Sequence, residues 1–268
     1  MNPQTFNRLC EIVHDQSGIK IGEGKDALVA TRIAGRLREL KMADEAEYVA
    51  YLEQSLEQEV THLLDAVSTN VTSFFRESKH FDLMEQVMKD WLDAGQTRFR
   101  VWCAAASTGE EPYTIAMTMR EAARLSRGTP DMKVLATDIN TQVLKEATQA
   151  EYPQQRVAKI PDEFLSRYFH KIPSKAGQSY RAAPSLTDMV TFRRLNLANP
   201  PFPMRGPMDM IFCRNVMIYF DKPTRQRLIK EFHRLLKPGG YFIVGHTEGL
   251  SSISERFRRV ASSVYIKD

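Results

Sequence analysis

The stretch VWCAAASTGEEPYTIAM, Val101 to Met117, decides the reading of this chain. An apolar run ending in Val101 and Trp102 breaks into small residues from Ala104 to Gly109, then reopens at Pro112 as a helical pattern. A change from buried strand through a tight turn to helix is the first half of an αβ unit, and small residues there let a ligand approach the backbone closely. The charges set the chemistry of that ligand. A phosphate-binding turn presents open amides and a positive helix end, whereas here Glu110 and Glu111 occupy that end, so hydroxyls or positive charge are expected rather than a pyrophosphate.

Working outward, short apolar strands alternate with amphipathic helices: Arg98–Cys103, a helix over 112–126, Lys133–Thr137, a helix over 141–149, Met208–Cys213, a helix over 223–236, and Tyr241–Gly245. This alternation implies a mostly parallel sheet with helices on both faces. Arg258–Ile266 reads as one last strand closing an edge. The stretch Lys159–Arg194, with Pro161, Pro173, Gly177 and Pro184, interrupts the pattern as a small antiparallel excursion or a long surface loop. Upstream, residues 1–78 show only helical spacing, as in Phe6, Leu9, Cys10 and Val13, or Leu28, Val29, Ile33, Leu37 and Leu40. Turn signals at Ser17-Gly18 and Gly22–Gly24 separate the first two helices, and further helices run through Tyr51 to Leu56 and from Gln58 to Val67. The expected organisation is α/β: a small all-helical domain with linker over 1–78, then a sheet domain over 79–268 with an inserted antiparallel β-subdomain near 165–194.

Composition narrows the class. With 268 residues, 43% hydrophobic and 26% charged, the chain reads as an ordinary globular protein, and no run approaches the ~20 apolar residues of a membrane span. The opening MNPQTFNRLCEIV lacks the features of a signal peptide, so a cytoplasmic protein without membrane insertion is expected. Three cysteines without CxxC spacing and six scattered histidines without an HxxxH pair predict neither a disulfide framework nor a metal site. A net charge of +4 is too small to indicate nucleic acid.

Ligands of an open parallel sheet bind at the carboxyl ends of its strands. There, Lys133–Thr137 runs into Asp138, placed to accept hydrogen bonds from ribose hydroxyls or to cap the helix that follows. Phe212–Asp221, FCRNVMIYFD, passes from buried strand to Arg214, Asn215 and Tyr219, and Leu235–Glu248, LLKPGGYFIVGHTE, is a helix end, a turn and a strand. This order resembles the class I S-adenosylmethionine-dependent methyltransferases. The wording of TNVTSFFRE at 69–77, AAASTGEEPY at 104–113, ATDIN at 136–140 and FCRNVMIYFD at 212–221 resembles one branch, the chemotaxis receptor glutamate methyltransferases or CheR family, over essentially the whole chain.

The resemblance implies a Rossmann-like methyltransferase domain. It also implies that Asn70, Thr72 and Arg76 reach the cofactor S-adenosylmethionine from the linker, that Glu110 meets its ammonium group and that Asp138 holds its ribose. Asn196 and Leu197 would lie by the adenine and Asn215 beside the methionine part, with Arg214 also among the cofactor-binding residues. Tyr219 and Arg76 would shape the methyl-transfer site. A glutamate acceptor is already ionised near neutral pH, with a reference pKa of about 4.3, so no general base is required. The partner is then a chemoreceptor cytoplasmic helical bundle rather than nucleic acid, and the product S-adenosylhomocysteine. Lys25, Arg32 and Arg36 recur on one face of the second helix, opposite Leu28, Ile33 and Leu37; the resemblance makes them a receptor contact, and charge alone a solvated face. A receptor C-terminal peptide could add to the edge of the β-subdomain. The alternatives are a methyltransferase of this fold acting on another signalling-array receptor, a small molecule or nucleic acid, or a non-catalytic interaction module. The missing NPPY-type tetrapeptide and the intact Glu110, Asp138, Asn215 and Tyr219 argue against them.

Overall fold

The computed structural model describes residues 1–126, 128–174, 177–248 and 256–268. Four helices come first: α1 (Pro3–Ser17), α2 (Asp26–Leu40), α3 (Glu45–Gln54) and α4 (Leu56–Val67). Asn2 and Asp44 cap α1 and α3 by accepting backbone N–H groups, and α1 stops at Gly18, whose φ of 69° a side chain would resist. Their apolar faces, including Leu9, Val13, Ile33, Tyr48, Leu52 and Leu63, close on one core. The buried Glu59 carboxylate of α4 accepts from Arg36 at 2.6 and 2.8 Å and from the Tyr48 hydroxyl at 2.9 Å, which ties α2 and α3 to α4.

A helix absent from the sequence reading follows, α5 (Lys79–Asp93), which sends Phe81, Met84, Val87 and Met88 into the main core. The chain then alternates through β1 (Arg98–Cys103), α6 (Glu110–Ala123), β2 (Asp131–Asp138) and α7 (Thr141–Gln149). After an insertion come β6 (Val190–Arg194), β7 (Met208–Cys213), α11 (Lys222–Leu235), β8 (Leu236–Val244), β9 (Arg258–Ala261) and β10 (Val264–Ile266). The seven-stranded sheet runs β6-β2-β1-β7-β8-β10-β9, parallel from β6 to β8, with β10 antiparallel to both its neighbours. Period-two alternation along β1 sends Val101 and Cys103 to the α5/α6 face and Trp102 to the α11 face, so the sheet is buried on both sides. Strand order reverses between β1 and β7, which opens a crevice at their carboxyl ends.

Two expectations need correction. The last segment is not one strand but the hairpin β9/β10, and β9 forms the edge. The inserted sheet is β3 (Glu151–Pro153), β5 (Gly177–Ala182) and β4 (Phe169–Ser174), so it begins well before 165 and ends before 190. Three-residue β3 is too short to show a period, and the half-buried alternation of β6 suits a parallel edge strand as well as a hairpin arm. Short helices α8 (Gln154–Val157), α9 (Asp162–Tyr168) and α10 (Pro184–Thr187) fill the insertion.

The helical module is bonded to the sheet domain. The Asn196 side chain donates to the Gln16 carbonyl at 2.7 Å, the Lys20 N–H to the Tyr219 carbonyl at 2.8 Å, and the Thr141 N–H to Asp65 at 2.7 Å. Gly18 fits this joint because a Cβ there would come within 2.8 Å of the Ala198 Cβ. No helix among the described residues is long and apolar enough to cross a membrane.

Candidate active site

The crevice is the floor of a cleft of about 1170 Å³ of empty space, open to solvent, roofed by α2 and walled on one side by the linker after α4. At the end of β1, Ala104, Ala105 and Ser107 face the cleft with little bulk. Gly109 does not: its φ of 96° and a Cβ position 2.7 Å from the Tyr152 hydroxyl show that it is required by packing against the insertion rather than by a ligand.

At the end of β2, Asp138 accepts the Ser107 N–H at 2.8 Å and the Asn140 N–H at 3.0 Å. It does not cap α7; Asn140 does. Burial raises the Asp138 pKa, and the backbone N–H groups of Asn140 and Ser107 oppose that shift. Ile139, Leu195 and Leu197 supply apolar surface beside it. Asn196 also lines the cleft while its amide is engaged with Gln16.

At the end of β7, the Arg214 side chain is 1% exposed and donates to Glu111 at 2.7 Å and to the Arg76 carbonyl at 2.5 Å, with Glu77 at 3.0 Å. The Cys103 thiol donates to the same Glu111 at 3.2 Å. Burial raises the Glu111 pKa despite Arg214, whereas for Glu77 the guanidinium outweighs burial and lowers it. Asn215 adopts φ of 59°. Glu248 holds that turn, accepting the N–H groups of Asn215, Val216, Met217 and Gly245 at 2.6 to 2.8 Å. Tyr219 ends the turn on the cleft.

Of the residues expected from sequence, Asn70, Thr72, Arg76, Asp138, Asn196, Leu197, Arg214, Asn215, Tyr219, Lys25 and Arg32 line this single cleft. Glu110 does not: it is 1% exposed and is bound by Arg156 and Thr108, and Glu111 lines the cleft in its place. Arg36 is not a free cation of the roof but the partner of Glu59. Leu28, expected on the core side of α2, is 45% exposed and lines the cleft with Lys25. Sequence reasoning missed Glu111, Glu248 and Arg156, whose partners are distant in the chain. It also missed the approach of His246 to Glu77 and His80, whose donor atoms lie within 4.8 Å of one another.

Comparison with known proteins agrees with this layout. Residues 4–68 match the family description "CheR methyltransferase, all-alpha domain" and residues 70–266 match "CheR methyltransferase, SAM binding domain". Chemotaxis protein methyltransferase 2 of Pseudomonas aeruginosa is 39% identical over 98% of this chain and 92% of its own length. The chemotaxis protein methyltransferases of Borreliella burgdorferi and Escherichia coli are 38% and 37% identical over 91% and 97% of this chain, and over 87% and 89% of their own. Both modules match in order, over nearly the full length of these relatives, and the chain therefore belongs to the CheR family of S-adenosylmethionine-dependent methyltransferases.

Proposed function

We propose that this chain methylates glutamate side chains on the cytoplasmic domains of chemoreceptors, giving glutamate methyl esters and S-adenosylhomocysteine. The observation that carries the reading is the meeting, in one cleft between the two modules, of Asp138, the linker residues Asn70, Thr72 and Arg76, and Tyr219. The donor set fits the cofactor. Asp138 can accept from a ribose diol, Ile139, Leu195 and Leu197 can cover a base, and the bare backbone at Ala104 and Ala105 with Glu111 and Asn215 suits an amino-acid end.

When bound, S-adenosylmethionine supplies an electrophilic methyl group on a sulfonium. The protein supplies position. Arg76 and Tyr219, both on the cleft, would orient an incoming carboxylate against the methyl group, an effect worth on the order of 7–11 kcal/mol when geometry is near ideal. A rigid bidentate pairing of Arg76 with the acceptor would blunt its nucleophilicity, and the Arg76 guanidinium is already engaged with the Val71 carbonyl at 2.9 Å. Lys20, Lys25 and Arg32 place positive charge on the cleft, and the exposed Leu28 and Val71 lie among them, a mixture suited to an acidic amphipathic helix. The outer edge of β4 could accept a receptor C-terminal peptide as an added strand.

Incubation with labelled S-adenosylmethionine and receptor cytoplasmic domains should transfer label as a base-labile ester. Base-stable label would point to nitrogen as acceptor, and absence of transfer with intact cofactor binding would remove receptor glutamate from the reading. Deleting the receptor's terminal peptide should lower the rate if β4 is a tether.

A further inference from the structure

The linker residue expected to orient the acceptor, Arg76, sits between two residues in the left-handed region, Phe75 at φ 51° and Glu77 at φ 56°. Such conformations cost on the order of 1–3 kcal/mol each and persist only where the surroundings enforce them. Here the enforcing group is identifiable. One face of the Arg214 guanidinium lies over the Phe81 ring at 5.4 Å; it donates to Glu111 on α6 and to the Arg76 carbonyl, and forms an ion pair with Glu77 on the linker at 3.0 Å. The Phe75 N–H is donated to the Thr114 hydroxyl at 3.2 Å, one turn beyond Glu111 on the same helix. Behind Glu77 lie His80 and His246. A divalent cation among these three would share the Glu77 oxygen that already faces Arg214 at 3.0 Å, so the cluster reads as the back of an ion pair rather than a metal site.

We infer that Arg214, clamped between Glu111 and Glu77, is a positioning residue that fixes the backbone at Arg76 and thereby sets the linker wall of the cofactor cleft. This rests on the methyltransferase reading of the cleft. Only a planar fork with several donors can serve two carboxylates and a carbonyl at once, so lysine is not an equivalent replacement.

The test is a cycle of calorimetric binding measurements with S-adenosylhomocysteine as probe. Arg214→Lys should weaken binding about tenfold, and Arg76→Ala by a similar factor. Because the first acts through the second, the double variant should bind no worse than about the weaker single one. Wild-type affinity for Arg214→Lys, or single losses that multiply to about a hundredfold, would overturn the inference. If Arg214→Lys fails to fold, Glu77→Gln in the same cycle carries the same expectation and the same refutation. No binding by the wild-type protein would sink the cofactor reading together with this one, whereas tight wild-type binding with insensitive variants would sink this one alone.

Discussion

The two walls of the cleft hold their charges in opposite ways. On the sheet side, Glu111 and Arg214 are buried and Asp138 is held by backbone N–H groups, each with partners fixed by strand ends. On the helical side, Lys20 and Lys25 are exposed, and Arg32 is half-buried and bonded to the Val67 carbonyl at 2.5 Å. A charge held by several partners selects a ligand by geometry, while a charge in water attracts by sign and is screened by salt. On the proposed function, the sheet wall would hold the cofactor and the helical wall would meet the receptor.

The sharpest test of the helical wall lies behind it. Arg36→Ala leaves the buried Glu59 with only Tyr48, which should cost about 3 kcal/mol in denaturant unfolding, and an unchanged midpoint would show that Arg36 is a docking cation after all. On the sheet wall, Asp138→Ala should weaken S-adenosylhomocysteine binding about a hundredfold by calorimetry, since two charge-assisted hydrogen bonds to a ribose would go. Near-normal affinity would make Asp138 a loop fastener only. His80, beside that wall, has its pKa lowered from 6.5 to about 4, chiefly by burial and then by Arg214. Its stabilising neutral form is complete above pH 6.5 and is lost as pH falls toward 4, so stability should drop by about 2 kcal/mol by pH 5. The drop should be smaller in His80→Gln. Where the walls meet, Tyr219→Phe should lower kcat about tenfold while leaving product affinity unchanged, and equal turnover would remove the hydroxyl from the mechanism. The smallest effect is expected on the exposed rim: Lys25→Glu should slow receptor methylation about threefold at low salt and not at high salt. A loss that ignores salt would contradict the contrast between the walls.

The same division explains what could be read from the amino acids alone. β1, β7 and α7 are legible because their apolar period is local, and Asp138, Asn215 and Tyr219 stand at strand ends or just beyond, where a parallel sheet puts its ligand. The choice between Glu110 and Glu111 is not local: it is made by Arg156 from the insertion and Arg214 from β7. Helical spacing places Lys25, Arg32 and Arg36 on one face, but α4 crosses that face at its far end and brings Glu59 to Arg36. Glu248 looks like any polar residue after a strand, and only the return of the chain beside β7 gives it four N–H groups to hold.

The joint at Gly18, Asn196 and Lys20 has a further consequence for how the protein melts. The seam joins the two modules through these hydrogen bonds and through Ile19, which packs against the cores of both. A ligand seated against both adds its binding free energy to the seam, RT ln(1 + [L]/Kd), or about 2.7 kcal/mol at a hundredfold excess over Kd. Saturation should thus raise the melting temperature of the whole protein in calorimetry, with the bound cofactor fastening one module to the other.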